Sequence, residues 1–300
     1  MTTSAAISAR ARQRWNERGH LDDTLELTPE LAEAASRFRI ADCHCHIYPS
    51  KIAAKASDAV GVFYELPMYA KVGDADTLVA NGSKIGVERY LVCSVATTLP
   101  QVDSIGRFIA AECAEHPEFI GLGAWHEDVE DVDALLDSVE ELGLLGIKIH
   151  PDFQKVSLDD PRMMKLFAAI EERGMRIMIH MGDPRYEFSA PAKLARILER
   201  HDKLKVDAAH FGGWGEWDNA VPALAGSPAY YDLSSSLGFL EPEDALALID
   251  AYGADKIMFG VDFPMWNHVA EFSRVLALGL DDATLQDIFY NNFARFYLDD

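Results

Sequence analysis

Apolar and polar positions alternate along this chain in two rhythms. Eight short runs show the dense or two-residue pattern of strands. They are RIADCHCH (39–46), RYLVCSVA (89–96), FIGLGAW (119–125), GIKIHP (146–151), RIMIHMG (176–182), LKVDAAHFG (204–212), AYYDLSS (229–235) and KIMFGVDFP (256–264). Between them lie stretches with the three-to-four-residue spacing of amphipathic helices: SIGRFIAAECAEH, VDALLDSVEEL, MMKLFAAIEERG, PAKLARILERH and PEDALALIDAYG. Several open after Asp, Ser or Pro and close at Gly, the residues that satisfy helix ends.

Strand and helix alternating eight times, at roughly 30 residues a unit, predict an α/β chain folded as a distorted (β/α)8 (TIM) barrel. A doubly wound sheet is the competitor, but it carries a glycine-rich phosphate loop after its first strand, and no GxGxxG follows RIADCHCH. Residues 1–38 read as an added helical extension and 39–300 as the barrel. Residues 50–85, with YELPMYAKVGDADTL, read as a long first connection able to act as a lid or to shape a substrate site.

Composition narrows the partners. The chain has 49 acidic and 27 basic residues and a formal charge of −22, which repels nucleic acid and anionic membrane surfaces. Its 49% hydrophobic content supports a large core, yet no apolar stretch is long enough to cross a bilayer. The first residues lack the apolar region of a secretory signal, and four cysteines make no disulfide framework, so a cytoplasmic protein is expected. Two aromatic segments, YELPMY and FYNNFARFY, are candidates for a homodimer contact and equally for core.

The polar residues at the strand ends carry the chemistry. His44 and His46 close the first run and project to one face, with Cys43 and Cys45 on the other. Lys148 and His150 close the fourth run, His180 the fifth and His210 the sixth, and Asp262 lies in the eighth. A single strand histidine is most often a satisfied core residue. Five of the ten histidines at ends of the same polarity are explained together by one metal-binding patch, because barrel sites form at the carboxyl ends of strands. Imidazole and carboxylate donors with open positions suit Zn²⁺, with Mn²⁺, Fe²⁺ or Co²⁺ as alternatives. A zinc–thiolate site lacks a second close cysteine pair.

The motifs DCHCHIYP, GIKIHP, IMIHMGDP, AHFGG and FGVDFP, in that order and at barrel spacing, resemble those of the amidohydrolase superfamily. They are most similar to its branch of aminocarboxymuconate-semialdehyde decarboxylase-like enzymes. The resemblance runs from about Ile40 to the carboxyl terminus. It implies His44, His46, His180 and Asp262 as metal ligands, His210 as the histidine that polarises water or substrate, and Asp262 as a second proton-handling group.

Lys148 has three readings: a carboxylated bridge between two ions, a cation for a substrate carboxylate, or a structural ion pair. One-metal chemistry in the branch favours the second, so one ion is expected and two are not excluded. Lys148, His150, Arg185 and Trp214 are the candidate contacts to a small, anionic or aromatic substrate, with Arg185 offering a fork matched to carboxylates. Phe63, Tyr64, Tyr69 and Trp266 are candidates for an apolar lining, and Asn292 for tying the last turn. The expected activity is hydrolysis of a C–N or C–O bond at a carbonyl by a metal-activated water. The alternative is non-oxidative decarboxylation of an aromatic or unsaturated acid.

Overall fold

The computed structural model describes residues 7–18 and 25–299, and each of the eight apolar runs holds a strand in it. In chain order these are β1 (Ile40–His46), β2 (Val87–Cys93), β3 (Phe119–Gly121), β4 (Gly123–Ala124) and β5 (Gly146–Ile149). They continue with β6 (Arg176–Ile179), β7 (Lys205–Ala208), β8 (Tyr230–Asp232) and β9 (Ile257–Met258). The third run is divided at Leu122, so it supplies two short strands rather than one.

The helical stretches form as their spacing predicts, over Leu99–Glu115, Val132–Glu141, Pro161–Arg173, Pro191–Leu198 and Pro242–Tyr252. Their ends show why. The Asp131 carboxylate accepts from the N–H of Ala134 at 3.0 Å, and Asp160 accepts from Arg162 at 2.9 Å. Prolines take first-turn positions that need no N–H partner. Of the 1–38 extension, helices cover Ile7–Arg18 and Pro29–Ala35, while residues 1–6 and 19–24 lie outside the described residues.

The chain divides into two compact units, one of residues 1–8 and 93–232, the other of residues 9–92 and 233–300. In the first, β4 to β8 lie side by side in a parallel ladder, with Ala124 opposite Lys148, Lys148 opposite Met178, Met178 opposite Asp207, and Ala208 opposite Tyr231. Ile147, Ile149, Ile177, Ile179, Val206 and Ala208 are fully buried, as parallel strands covered on both faces require. Lys148, Asp207 and Asp232 are enclosed with them.

In the second unit, β1 and β2 are neighbours, and β1 is also bonded to the chain in and after β9. Cys43 N–H donates to Phe259 O at 3.0 Å, Asp262 N–H to His44 O at 2.8 Å and His46 N–H to Phe263 O at 2.7 Å. One expectation is corrected in this unit, and one of two open readings is met. The first connection is not an open loop, because helices occupy Ser50–Tyr64 and Ala75–Gly82 and leave only a short link. The aromatic segment FYNNFARFY is core, with Phe289, Phe293 and Tyr297 buried and packed on one another or on Phe259 and Phe272.

One close approach in the ladder is testable. At Gly146, opposite Arg176, an added Cβ stands 1.7 Å from the Arg176 carbonyl oxygen. Gly146→Ala therefore forces two paired backbones apart and is expected to cost about 3 kcal/mol or more. Gly143→Ala, at φ 71° with open space around it, is expected to cost about 1 kcal/mol. Urea unfolding of both variants checks the ranking.

Candidate metal centre

Strand alternation sets His44 and His46 on one face of β1, with His44 buried and the His46 side chain 13% exposed. Cys43 and Cys45 are buried as free thiols. Asp262 follows β9 in a left-handed backbone conformation, φ 60°, held by its N–H to the His44 carbonyl. Its Oδ1 stands 3.6 Å from His44 Nε2 and 3.5 Å from His46 Nε2, and the two Nε2 atoms are 3.3 Å apart.

That triangle has the dimensions of a coordination face. Donors at about 2.0–2.2 Å from a tetrahedral ion stand about 3.3–3.6 Å from one another. An imidazole Nε2 donates or accepts according to its tautomer and a carboxylate only accepts, so three such atoms this close need a proton or a cation among them. His44 Nδ1 is 3.0 Å from Ser234 Oγ, and when the imidazole donates there its Nε2 lone pair faces the triangle. The other Asp262 oxygen, Oδ2, accepts from Ser235 Oγ at 2.6 Å.

The remaining predicted residues lie in the unit of residues 93–232. His150 follows β5 but has left the strand. It caps the short helix Pro151–Gln154, its Nδ1 accepting from Phe153 N–H at 3.3 Å, and it stacks between Phe153 and His180 at centroid distances of 3.9 and 3.7 Å. His180 Nε2 is 3.0 Å from the Gly182 carbonyl, which can only accept, so Nδ1 carries the lone pair. That Nδ1 is 2.9 Å from His210 Nε2. His210 sits at φ 61°, followed by Phe211 at 54° and Gly212 at 70°. Asp232 holds the turn, accepting from His210 N–H at 3.1 Å through Oδ1 and from Phe211 N–H at 2.8 Å through its carbonyl. Non-glycine residues in this region cost about 1–3 kcal/mol each and collect where function demands them.

Two substrate candidates are already engaged by the protein. The Arg185 fork grips buried Asp183, Nε to Oδ1 at 2.9 Å and Nη2 to Oδ2 at 2.7 Å. Trp214 donates its backbone N–H to Met181 O at 2.7 Å and is half-buried. Lys148 is fully buried in β5. In the other unit, Trp266 is buried and Asn292 donates to the Ala254 and Ile257 carbonyls at 2.8 and 2.7 Å, tying the turn that enters β9. Sequence reasoning missed Asp42, Asp152, Asp232, Ser234 and Ser235. Asp42 had a signal, since positions 42, 44 and 46 share one strand parity.

Asp152 is buried between His180 and Ser189, whose hydroxyl donates to Oδ2 at 2.5 Å, while Oδ1 has no hydrogen-bond partner. Burial pushes its carboxyl up to about 6 from 3.8, Asp183 and Glu216 adding to the rise and Ser189 opposing it. The unfolded chain ionises this group first, so its contribution to stability is full below about pH 4 and lost as pH rises through about 6. Asp152→Asn is expected to be more stable than wild type at pH 8, by on the order of 2 kcal/mol, and equal to it at pH 4. Denaturant titrations at the two pH values read the difference.

Comparison with known proteins places this geometry. A 2-amino-3-carboxymuconate-6-semialdehyde decarboxylase from Dictyostelium discoideum is 27% identical over 194 residues, 52% of this chain and 54% of that relative, so the chain spans about half its length in the match. An uncharacterised TIM-barrel protein from Bordetella bronchiseptica superposes with a TM-score of 0.73 at 17% identity, covering 86% of this chain and 98% of its own. A dihydroxybenzoic acid decarboxylase from Polaromonas sp. JS666, with bound manganese and the inhibitor 2-nitroresorcinol, gives 0.67 at 14% identity, covering 87% and 97%. The fold is the α/β barrel that eight strand–helix units predict. The expectation of a hydrolase is overturned, because the relatives of named activity are decarboxylases. No helix among the described residues is long and apolar enough to cross a membrane. The sequence profile of the amidohydrolase family matches residues 41–298, and the chain belongs to that family.

Proposed function

We propose that the protein is a metal-dependent, non-oxidative decarboxylase of a small aromatic or unsaturated carboxylic acid. The observation that carries the metal half is the triangle of His44, His46 and Asp262, whose edges match a coordination face. The reaction half rests on the decarboxylases among the relatives. His180, offering the lone pair on Nδ1, is the fourth proposed ligand. Its place on a strand end in the barrel fold supports that role.

Zn²⁺ and Mn²⁺ both suit imidazole and carboxylate donors, and manganese is the ion in the Polaromonas structure. A divalent ion here supplies a fixed positive charge that holds the substrate's carboxylate or an adjacent hydroxyl and offsets charge released on the ring. In the reaction the bond between the ring or alkene carbon and the carboxylate breaks, its electron pair stays on that carbon, and a proton replaces CO₂ there. His210 is the proposed proton donor, its backbone held by Asp232. Asp262 is the second proton-handling candidate, with Oδ2 already bound to Ser235. Lys148 is the proposed cation for a substrate anion, with His150 and Trp214 as further contacts. Arg185 serves Asp183 first.

The test is release of CO₂ by the Mn²⁺-loaded and Zn²⁺-loaded chain from a panel of hydroxybenzoic and amino-substituted unsaturated acids. In D₂O the product is expected to carry deuterium at the carbon that lost the carboxylate. Cleavage of amides or esters without CO₂ release overturns the proposal. About one ion per chain is expected by elemental analysis. His46→Ala is expected to lose it and to release CO₂ at least about 100-fold more slowly, beyond what loss of an outlying partner does.

A further inference from the structure

We infer that Ser235 is a positioning residue that holds Asp262 with one carboxylate oxygen on the metal face, and that the Trp266 indole sets the direction of the serine hydroxyl. The inference rests on the metal reading proposed above and concerns residues of one unit only.

Hydrogen-bond accounting makes the direction unambiguous. The Trp266 indole N–H can only donate, and it lies 2.7 Å from Ser235 Oγ, so the serine accepts there. Its single hydroxyl hydrogen is then left for Asp262 Oδ2 at 2.6 Å or the Met265 sulfur at 3.7 Å, and the carboxylate is the far stronger acceptor. Oδ2 is thereby turned away from the triangle, and Oδ1 remains the oxygen that faces His44 and His46.

The relay is anchored at both ends. Trp266 is buried and meets Phe239 edge-on, with centroids 5.7 Å apart at 89°. Ser235 is buried at φ 52° and Asp262 at φ 60°, so two side-chain-bearing residues adopt the left-handed conformation at the two ends of one hydrogen bond. That cost is sustained by what the bond fixes. The preceding residue repeats the device, with Ser234 Oγ 3.0 Å from His44 Nδ1. Ser236 Oγ closes the turn by donating to the Ser234 carbonyl at 2.9 Å. The run Ser234–Ser235 therefore ties one ligand with each hydroxyl.

Without the hydroxyl, Oδ2 loses the hydrogen bond that holds it away from the metal face. Removing a group that orients a ligand typically weakens metal binding about 10- to 100-fold. Ser235→Gly is the informative change, because glycine suits φ 52° and deletes only the hydroxyl and its carbon. Trp266→Phe keeps a ring against Phe239 and deletes only the N–H.

The experiment is Mn²⁺ binding to the metal-stripped full chain by chelator competition, beside thermal unfolding of the same metal-stripped samples. Ser235→Gly is expected to weaken Mn²⁺ binding about 10- to 100-fold while the metal-stripped chain still unfolds cooperatively, at a temperature lowered no further than loss of the Trp266 acceptor explains. Trp266→Phe is expected to weaken it in the same direction by less. Mn²⁺ affinity equal to wild type in both variants overturns the inference alone. A wild-type chain that binds no Mn²⁺ overturns the metal reading, and this inference with it.

Discussion

The candidate centre depends first on one buried carboxylate that touches no ligand side chain. Asp42 lies on β1 two residues before His44, and its Oδ1 accepts from the N–H of both His44 and Val261, each at 3.0 Å. One oxygen thus fastens the strand that carries two proposed ligands to the turn that carries a third. Oδ2 stands 2.9 Å from His268 Nε2, close enough for their charges to interact though poorly aligned for a hydrogen bond. Both side chains are fully enclosed. An enclosed carboxylate without partners costs several kcal/mol, and two peptide N–H groups and a histidine offset that here. The helix His268–Leu276 also carries buried Glu271, whose carboxyl is pushed upward by burial while Arg274 opposes the shift. The apolar packing of this unit builds around a small polar frame, and the frame sets where the ligands stand.

Periodicity made part of this legible in the sequence. A strand alternates faces with a period of two, so His44 and His46 could be placed together, and the cysteines opposite them, from spacing alone. The eight apolar runs all became strands for the same reason. The argument failed where the chain leaves its strands. Lys148 and His150 share a parity, but β5 ends at Ile149 and His150 turns into a helix cap stacked on Phe153. His210 lies beyond β7 in a left-handed turn, where its direction is set by Asp232 and not by alternation. The loop position and fork of Arg185 suggested a ligand contact, although Asp183, two residues before it, was the nearer carboxylate. Ser234 and Ser235 were invisible because their partners stand far away in sequence and a serine run carries no period.

Hydrolysis and decarboxylation were not separable by the same route, for a chemical reason. Both need a divalent ion on imidazole and carboxylate donors, and both need a group that moves a proton. They differ in the atom that receives that proton, a leaving heteroatom in one and a carbon in the other. That difference is settled by the pose of the substrate, which loops determine and donor sets do not. His210, with its backbone held by Asp232, is a candidate proton-moving group for either reaction. The relatives therefore weigh more than the geometry in choosing between them.

An acidic chain is an unfavourable destination for a carboxylate substrate, and this sets a condition on the site. The formal charge of −22 repels anions at long range, but physiological salt screens surface charges beyond about 8 Å. Within the unit of residues 93–232 several acids are enclosed, among them Asp152, Asp183, Asp207 and Asp232. Burial is the main cause of the upward shift of Asp152, and Asp183 and Glu216 add to it. A carboxylate substrate that leaves water needs fixed positive charge to offset its desolvation. On the decarboxylase reading, the divalent ion that orients the substrate is also the charge that admits it. Retention of the ion then matters to substrate affinity as much as to the chemical step, and the hydroxyls and carbonyls that hold its ligands in place act on both.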